Sequence, residues 1–474
     1  MSAQELARGG EGDGLAPPRH RLCIEHPVHT LEAVRQLDLD PETSGPPTPR
    51  LERVDWNGLQ RKSRYEVRTR DGWTLIITRY QPLPQRFPQP VLGEPLLLVH
   101  GFSQNRHAWT SGGFVKHMLS YGADIHVLEL RGHGLSSVEL QRRRAAAAGE
   151  RVPDDLDYGW DIDSYFLEDI PAAIAAVKRV TGRESVFYCG HSMGGMLGYG
   201  YATLGRDLAG LITIGAPADP GKGYLPLRLL AHLGPAFEVA VDAALLVRWG
   251  PMWIGWRARE TLRRALERAP GATSRLARML EARSRPERRR FQYYPMDLLL
   301  RRLERALADP RAFEAWARLA RHHTFLANPA QMTADEVRWL LREGGDREPR
   351  QVVAQLARWI RSAELKCYRT GYDFRAHFAD IRVPMAIIFG DLDPLASIAS
   401  TQEVYRAARS EYLLWRPVKG NSHLELTMGR DVRQICFDVK NLIEFARKYP
   451  MPHEAEVRPP VVGEAEMNTH IRVT

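Results

Sequence analysis

Hydrophobic and polar positions change their spacing several times along the chain. Up to about Asn57 no period is sustained and Gly45-Pro46-Pro47 breaks the pattern, so residues 1–57 are predicted to form an irregular arm. At most a short helix is expected there, around Leu31 to Leu37. The β-prone runs Tyr65 to Thr69 and Thr74 to Tyr80 flank Asp71-Gly72, the signature of a hairpin. Pro95-Leu96-Leu97-Leu98-Val99 is apolar throughout, as expected of a strand covered on both faces of a parallel sheet. A helix pattern from Phe114 to Tyr121 leads to a strand at Asp124 to Leu130. An amphipathic helix from about Ser164 to Val180 leads to a strand at Val186, and a further strand follows at Leu211 to Ile214. Such alternation predicts an α/β fold with a mostly parallel, doubly wound sheet and right-handed crossovers.

The alternation stops from about Gly221 to His377. That block reads as helical and rich in Arg, Leu and Ala, with breaks near Gly250-Pro251, Pro270-Gly271 and Gly344-Gly345. Sheet patterning resumes at Val383 to Gly390. A helix through Thr401 to Ala408, a strand at Tyr412 to Trp415 and a closing helix from about Val432 to Lys448 complete it. The expected division is an arm over 1–57, a core over 58–216 and 378–449, a helical cap over 217–377 and an irregular tail over 450–474.

Composition adds bounds. The 474 residues are 44% hydrophobic, enough for a sizeable core. The most apolar stretch, Ala236 to Trp256, is interrupted by Glu238, Asp242 and Arg248, so no membrane span is expected. No basic segment followed by an apolar run opens the chain, and Cys23, Cys189, Cys367 and Cys436 show no metal-binding spacing. Both features point to a reducing, cytoplasmic setting. The net charge of +9 is concentrated: Gly221 to Thr370 holds 29 basic against 16 acidic residues, and Arg283 to Arg290 alone holds five arginines. This marks a solvated face or a peripheral contact with an anionic membrane; a nucleic-acid partner is not favoured.

The candidate chemistry centres on Gly190-His191-Ser192-Met193-Gly194, which stands between the strand from Val186 and a small-residue helix through Ala202. A serine between glycines at a strand-to-helix turn is a nucleophile elbow. Its hydroxyl needs a base and a group to orient that base. Both occur later, in the order serine, acid, histidine: Gly390-Asp391-Leu392-Asp393-Pro394 follows one apolar strand and Asn421-Ser422-His423 follows the last. Asp393 is preferred over Asp391 as the acid because Asp391 lies almost on the strand, where it would cap the loop. His100, His133 and His191 compete with His423 but sit beside glycines in strand-end loops, where satisfying backbone groups is expected. The backbone N–H groups of Phe102 and Met193 are the expected oxyanion donors, each worth about 3 kcal/mol. His322-His323 lacks a third ligand at a metal spacing, so no metal and no cofactor is expected.

These motifs carry a resemblance. Thr69-Arg70-Asp71-Gly72-Trp73-Thr74-Leu75, Trp160-Asp161 through Asp169-Ile170-Pro171-Ala172, Thr181-Gly182 before the elbow strand, and Asp393 followed by Leu395-Ala396 make the chain similar to the α/β-hydrolases. Within that superfamily it resembles the acid lipases of the gastric and lysosomal type and related bacterial esterases. The likeness covers roughly Arg64 to Gly215 and Val383 to Lys448. It implies an α/β-hydrolase fold with a cap between the sixth and seventh sheet strands, and a cofactor-free serine hydrolase acting on hydrophobic esters through Ser192, Asp393 and His423. The elbow departs from the lipases' usual His-Ser-Gln-Gly by carrying Met193, and the cap does not align with theirs.

The expected function is cleavage of carboxylic esters with apolar acyl groups through an acyl-enzyme. The same triad would serve an acyltransferase, a thioesterase or a polyester depolymerase. In a different class stands a non-catalytic membrane- or nucleic-acid-binding protein built on the same scaffold. The cap aromatics Trp249, Trp253, Trp256, Phe291, Tyr293, Tyr294, Trp316, Phe325 and Trp339 are expected chiefly to pack the cap.

Overall fold

The apolar runs of the sequence assemble into one sheet. The computed structural model describes residues 20–23, 60–83, 92, 95–204, 207–223, 225–268, 292–322 and 326–448. Its strands are β1 (His20–Cys23), β2 (Gln60–Arg68), β3 (Thr74–Pro82), β4 (Pro95–Val99), β5 (Asp124–Glu129), β6 (Val186–His191), β7 (Leu208–Ile214), β8 (Tyr293–Tyr294), β9 (Glu348–Pro349), β10 (Met385–Gly390) and β11 (Tyr412–Val418). Nine of them form a sheet in the order β1-β11-β10-β7-β6-β4-β5-β3-β2. Only β3 on β5 and β2 on β3 run antiparallel. The chain steps from β4 outward to β5, then returns to place β6 on the other side of β4. Loops leaving β4 and β6 therefore diverge across a switch point, where α/β folds collect ligands.

Helices cover both faces: α1 (Phe114–Ser120), α2 (Val138–Ala148), α3 (Ile170–Thr181), α4 (Met193–Ala202), and, after the cap, α10 (Ile398–Ala407) and α11 (Val432–Lys448). Side chains alternate along β6, so Val186 and Tyr188 pack in the core layer with α3 and α4, while Phe187 and Cys189 pack in the layer with α1 and α11. Every residue of β4, β5, β6 and β10 is buried. That is why β4 and most of β10 read as apolar runs, whereas β5 buries Asp124 and Glu129 by pairing them with Arg79 and Arg106.

Between β7 and β10 the chain forms α5 (Leu225–Arg268), α6 (Met296–Ala306), α7 (Pro310–His322), α8 (Ala334–Glu343) and α9 (Arg350–Ser362). Three expectations need correction. The arm is not irregular throughout, because its residues His20–Cys23 add a parallel edge strand to β11. Four residues are too few to display an alternating pattern. Gly250-Pro251 does not break a helix: α5 runs 44 residues through Pro235 and Pro251. Proline's φ is helical; each ring removes one N–H donor and crowds the carbonyl four residues back, which favours a kink rather than an end. The cap is also not wholly helical, since β8 and β9 pair antiparallel within it. The Leu31 to Leu37 helix, Pro270-Gly271, Arg283 to Arg290 and the tail from Pro450 lie outside the described residues. Among the described residues, no helix is long and apolar enough to cross a membrane.

Candidate active site

β6 ends at His191 and α4 begins at Met193, so the whole turn is made at Ser192, whose φ of 51° and ψ of −119° are strained for a residue with a side chain. Close approach on every side enforces the turn. A Cβ on Gly190 would stand 2.4 Å from the Gly194 carbonyl carbon, and one on Gly194 would stand 2.5 Å from the Val99 oxygen. Gly195 is equally constrained, 2.5 Å from the Ala216 methyl, and was not singled out from the sequence. The Ser192 N–H donates to the Ile214 carbonyl at 2.9 Å, fastening the turn to β7.

The loops after β10 and β11 bring Asp393 and His423 to this serine. His423 Nε2 lies 2.9 Å from Ser192 Oγ, and its Nδ1 lies 2.8 Å from Asp393 Oδ2. The other carboxylate oxygen of Asp393 accepts the N–H groups of Leu395 and Ala396 at 2.8 and 3.0 Å, which fixes its plane. Asp391 faces away and accepts the Gly420 N–H at 2.7 Å. Gly215, at φ +59°, passes beneath the pair. All three side chains are nearly enclosed, with exposures of 9% for Ser192, 4% for Asp393 and 3% for His423.

The loop after β4 crosses directly over the serine. A Cβ on Gly101 would stand 2.9 Å from Ser192 Cβ. Gln104 ties the two together, since its Oε1 accepts the Gly101 N–H at 2.9 Å and lies 2.8 Å from His191 Nδ1, while His191 Nε2 lies 3.2 Å from the His423 carbonyl. Burial, reinforced by the neighbouring His423, pushes His191 down to about 3, so it is neutral here. His100 is likewise held well below the usual imidazole range by burial; its Nε2 accepts the Leu130 N–H and its Nδ1 donates to the Gly101 carbonyl. Among the described residues, the N–H groups of Phe102 and Met193 are given to no carbonyl or carboxylate. The second of these opens α4, where free N–H groups and the helix dipole both favour negative charge.

Two cap segments reach these loops, and no local pattern of residues announces either. One lies at Leu326 to Gln331. Its Leu326 carbonyl accepts the N–H groups of His423 and Leu424 at 3.3 and 2.9 Å, and Asn328 Nδ2 donates to the Gly420 carbonyl at 2.7 Å. Glu425 accepts the N–H groups of Ser422 and Asn328 from beneath, and burial pushes its carboxyl up to about 7. The other segment follows α8. Asp346 accepts the Gly134 N–H at 2.9 Å and Asn105 Nδ2 at 3.0 Å. Glu348 accepts the Ser103 N–H and lies 3.1 Å from His133 Nε2. Burial opposes charge on His133, but the Glu348 and Asp346 carboxylates outweigh it and raise the imidazole to about 9.

The cap aromatics that are described pack against core and cap side chains. Tyr293 lies 4.5 Å from the Tyr158 ring, Trp339 lies 4.7 Å from His107, and Phe313 lies 5.5 Å from Trp316. Phe291, Phe325 and His323 are outside the described residues. Among the described residues no three His, Cys, Asp or Glu side chains are grouped to hold a metal ion.

The sequence profile of a family described as "alpha/beta hydrolase fold" matches residues 94–423. Among characterised proteins, N-formylmaleamate deformylase of Pseudomonas putida is 34% identical over 139 residues, which is 29% of this chain and 43% of that protein. Human lipase member M is 26% identical over 182 residues, covering 34% of this chain and 40% of the lipase. Human lysosomal acid lipase/cholesteryl ester hydrolase is 27% identical over 145 residues, 28% of this chain and 33% of the enzyme. The chain thus spans less than half the length of each of these relatives.

Proposed function

The chain belongs to the α/β-hydrolase family, and from that premise we propose that it is a serine hydrolase cleaving carboxylic esters with apolar acyl groups. The observation that carries this reading is the continuous relay from Ser192 Oγ through both nitrogens of His423 to Asp393, at 2.9 and 2.8 Å. Ser192 Oγ attacks the ester carbonyl as its proton passes to His423 Nε2, while Asp393 holds the Nδ1–H and stabilises the imidazolium. The negative oxygen of the tetrahedral intermediate is met by the N–H groups of Phe102 and Met193. Collapse expels the alcohol, which takes the proton from His423. Water then enters, loses a proton to His423 and releases the acid, regenerating the serine. The enclosed position of Ser192 beneath the cap supports an apolar acyl group rather than a freely hydrated one. An acyltransferase, thioesterase or depolymerase would use the same first half-reaction.

The deciding experiment is a p-nitrophenyl ester series from acetate to palmitate with wild type and Ser192→Ala. The expected result is turnover that rises with acyl length and disappears in the variant. Near-normal activity in Ser192→Ala would overturn the mechanism, and a maximum at acetate would move the substrate to small esters.

We also propose that the cap docks on an anionic lipid surface, within a cytoplasmic, peripheral setting. Leu225, Leu229, Leu233, Val239, Leu246, Val247 and Ile254 are all exposed on α5, Val247 by 75%. At 100° per residue they share a sector of about 140°. Glu238 lies across the helix from this sector and Asp242 just beyond its edge, both held by Arg350. Exposed Arg228, Arg257 and Arg264 border the apolar sector, which suits acidic headgroups.

A further inference from the structure

Ser103, the residue after the Phe102 oxyanion donor, has every polar group of its own taken by the cap. Its N–H goes to Glu348 Oε1, its hydroxyl donates to the Asp346 carbonyl at 2.7 Å, and its carbonyl accepts the Asp346 N–H at 3.0 Å. Ser103 sits at φ 57°, a left-handed conformation that a serine does not hold without such restraint. Glu348 is itself fully buried, and the same Oε1 lies 3.1 Å from His133 Nε2. His133 Nδ1 donates to the Arg131 carbonyl at 2.9 Å. Both ring nitrogens thus face acceptors, and because one of these is a carboxylate the protonated ring is favoured. One carboxylate oxygen of the cap therefore joins the loop after β4 to the loop after β5.

We propose that Glu348 is a positioning residue for the oxyanion hole: from the cap, it fixes the Phe102-Ser103 peptide so that the Phe102 N–H faces the oxygen that becomes negative. This inference rests on the serine-hydrolase reading. Glu348 touches no reacting atom. It acts through the backbone of Ser103, with His133 holding the carboxylate in place and Asp346 closing the loop from the other side. Donors that arrive already oriented stabilise a developing charge without reorganising, and a small misplacement forfeits much of that advantage. Closing the cap would then complete the site as well as cover it.

The test compares wild type, Glu348→Ala, Glu348→Asp and Glu348→Gln on one ester, with kcat expressed per site titrated by a fluorophosphonate. Alanine removes the acceptor and aspartate withdraws it by one methylene, so both should lower kcat by about 10- to 100-fold with KM within about 3-fold. Glutamine keeps an oxygen for Ser103 and His133 and should restore kcat to within about 5-fold of wild type. A purely structural role would lower the number of titrated sites and leave kcat per site unchanged. Wild-type kcat per site in Glu348→Ala overturns the inference; if that variant does not fold, wild-type kcat in Glu348→Asp does so. A wild type that the fluorophosphonate fails to label removes the serine-hydrolase reading itself, together with this inference. A labelled, active wild type beside unaltered variants removes the inference alone.

Discussion

A Cβ placed on Gly215 would stand 3.1 Å from Nδ1 of His423 and 3.3 Å from Oδ2 of Asp393. The glycine thus leaves open the space in which imidazole and carboxylate meet, and its φ of +59° adds a second reason for having no side chain. Gly215→Ala should push the two groups apart. Its kcat is expected to fall by about 10- to 100-fold with a smaller change in KM, measured on a chromogenic ester.

The two aspartates after β10 should separate sharply in mutation. Asp393→Asn leaves His423 without the carboxylate that selects its tautomer, and kcat should drop by about 10⁴-fold. Asp391→Asn loses only the acceptor for the Gly420 N–H. Its activity should stay within about 3-fold of wild type and its stability should fall by about 1 kcal/mol, read from denaturant unfolding.

Two groups with raised pKa values, Glu425 and His133, should each withdraw stability as pH rises, Glu425 between pH 5 and 7 and His133 between 7 and 9. Glu425 ionises near 4.5 when unfolded but near 7 when folded, with burial as the main cause and His423 the facing charge. The folded state holds the extra proton between those values, so the charged form costs up to about 3 kcal/mol above pH 7. His133 adds to the same trend. Its folded value of about 9 is set by burial against Glu348 and Asp346, with the His100 and Tyr165 rings packed beside it. Its contribution is complete below pH 6.5 and is lost through about 9. Unfolding free energy should therefore fall from pH 7 to 9; between pH 5 and 7, where histidines held neutral by burial such as His100 and His191 add stability as pH rises, Glu425→Gln should gain more than wild type.

Sedimentation with vesicles tests the cap face. Wild type should bind phosphatidylglycerol-rich vesicles more than neutral ones, and less at 0.5 M salt than at 0.05 M. Val247→Glu with Ile254→Glu should abolish binding while leaving turnover of a short soluble ester unchanged. A chain that ignores vesicles and instead buries α5 in a dimer, seen by analytical ultracentrifugation, would refute the lipid surface.

The core was legible because its determinants are local. Apolar runs such as Pro95 to Val99 state their own burial, and Gly190 and Gly194 stand beside the serine they serve. The order of Ser192, Asp393 and His423 follows from where strands end in such a sheet. The cap contacts were not legible because they are not local. Glu348 lies 245 residues from Ser103, in the polar run Asp346-Arg347-Glu348, which periodicity assigns to solvent. Glu425 carries no local sign of its burial, because nothing in its neighbours announces that Asn328 will bring it an N–H. In α5, Gly250-Pro251 has the local signature of a break, whereas the helix continues through both Pro235 and Pro251 with Glu238 and Asp242 held on Arg350.

The cap is stitched to both halves of the chemistry at once: Leu326 holds the histidine loop and Glu348 holds the oxyanion loop. Any movement that lifts both segments to admit a substrate also releases the groups that would act on it. On the serine-hydrolase reading, an ester too bulky to let Leu326 and Glu348 regain these contacts should therefore be turned over more slowly than one the cap can enclose.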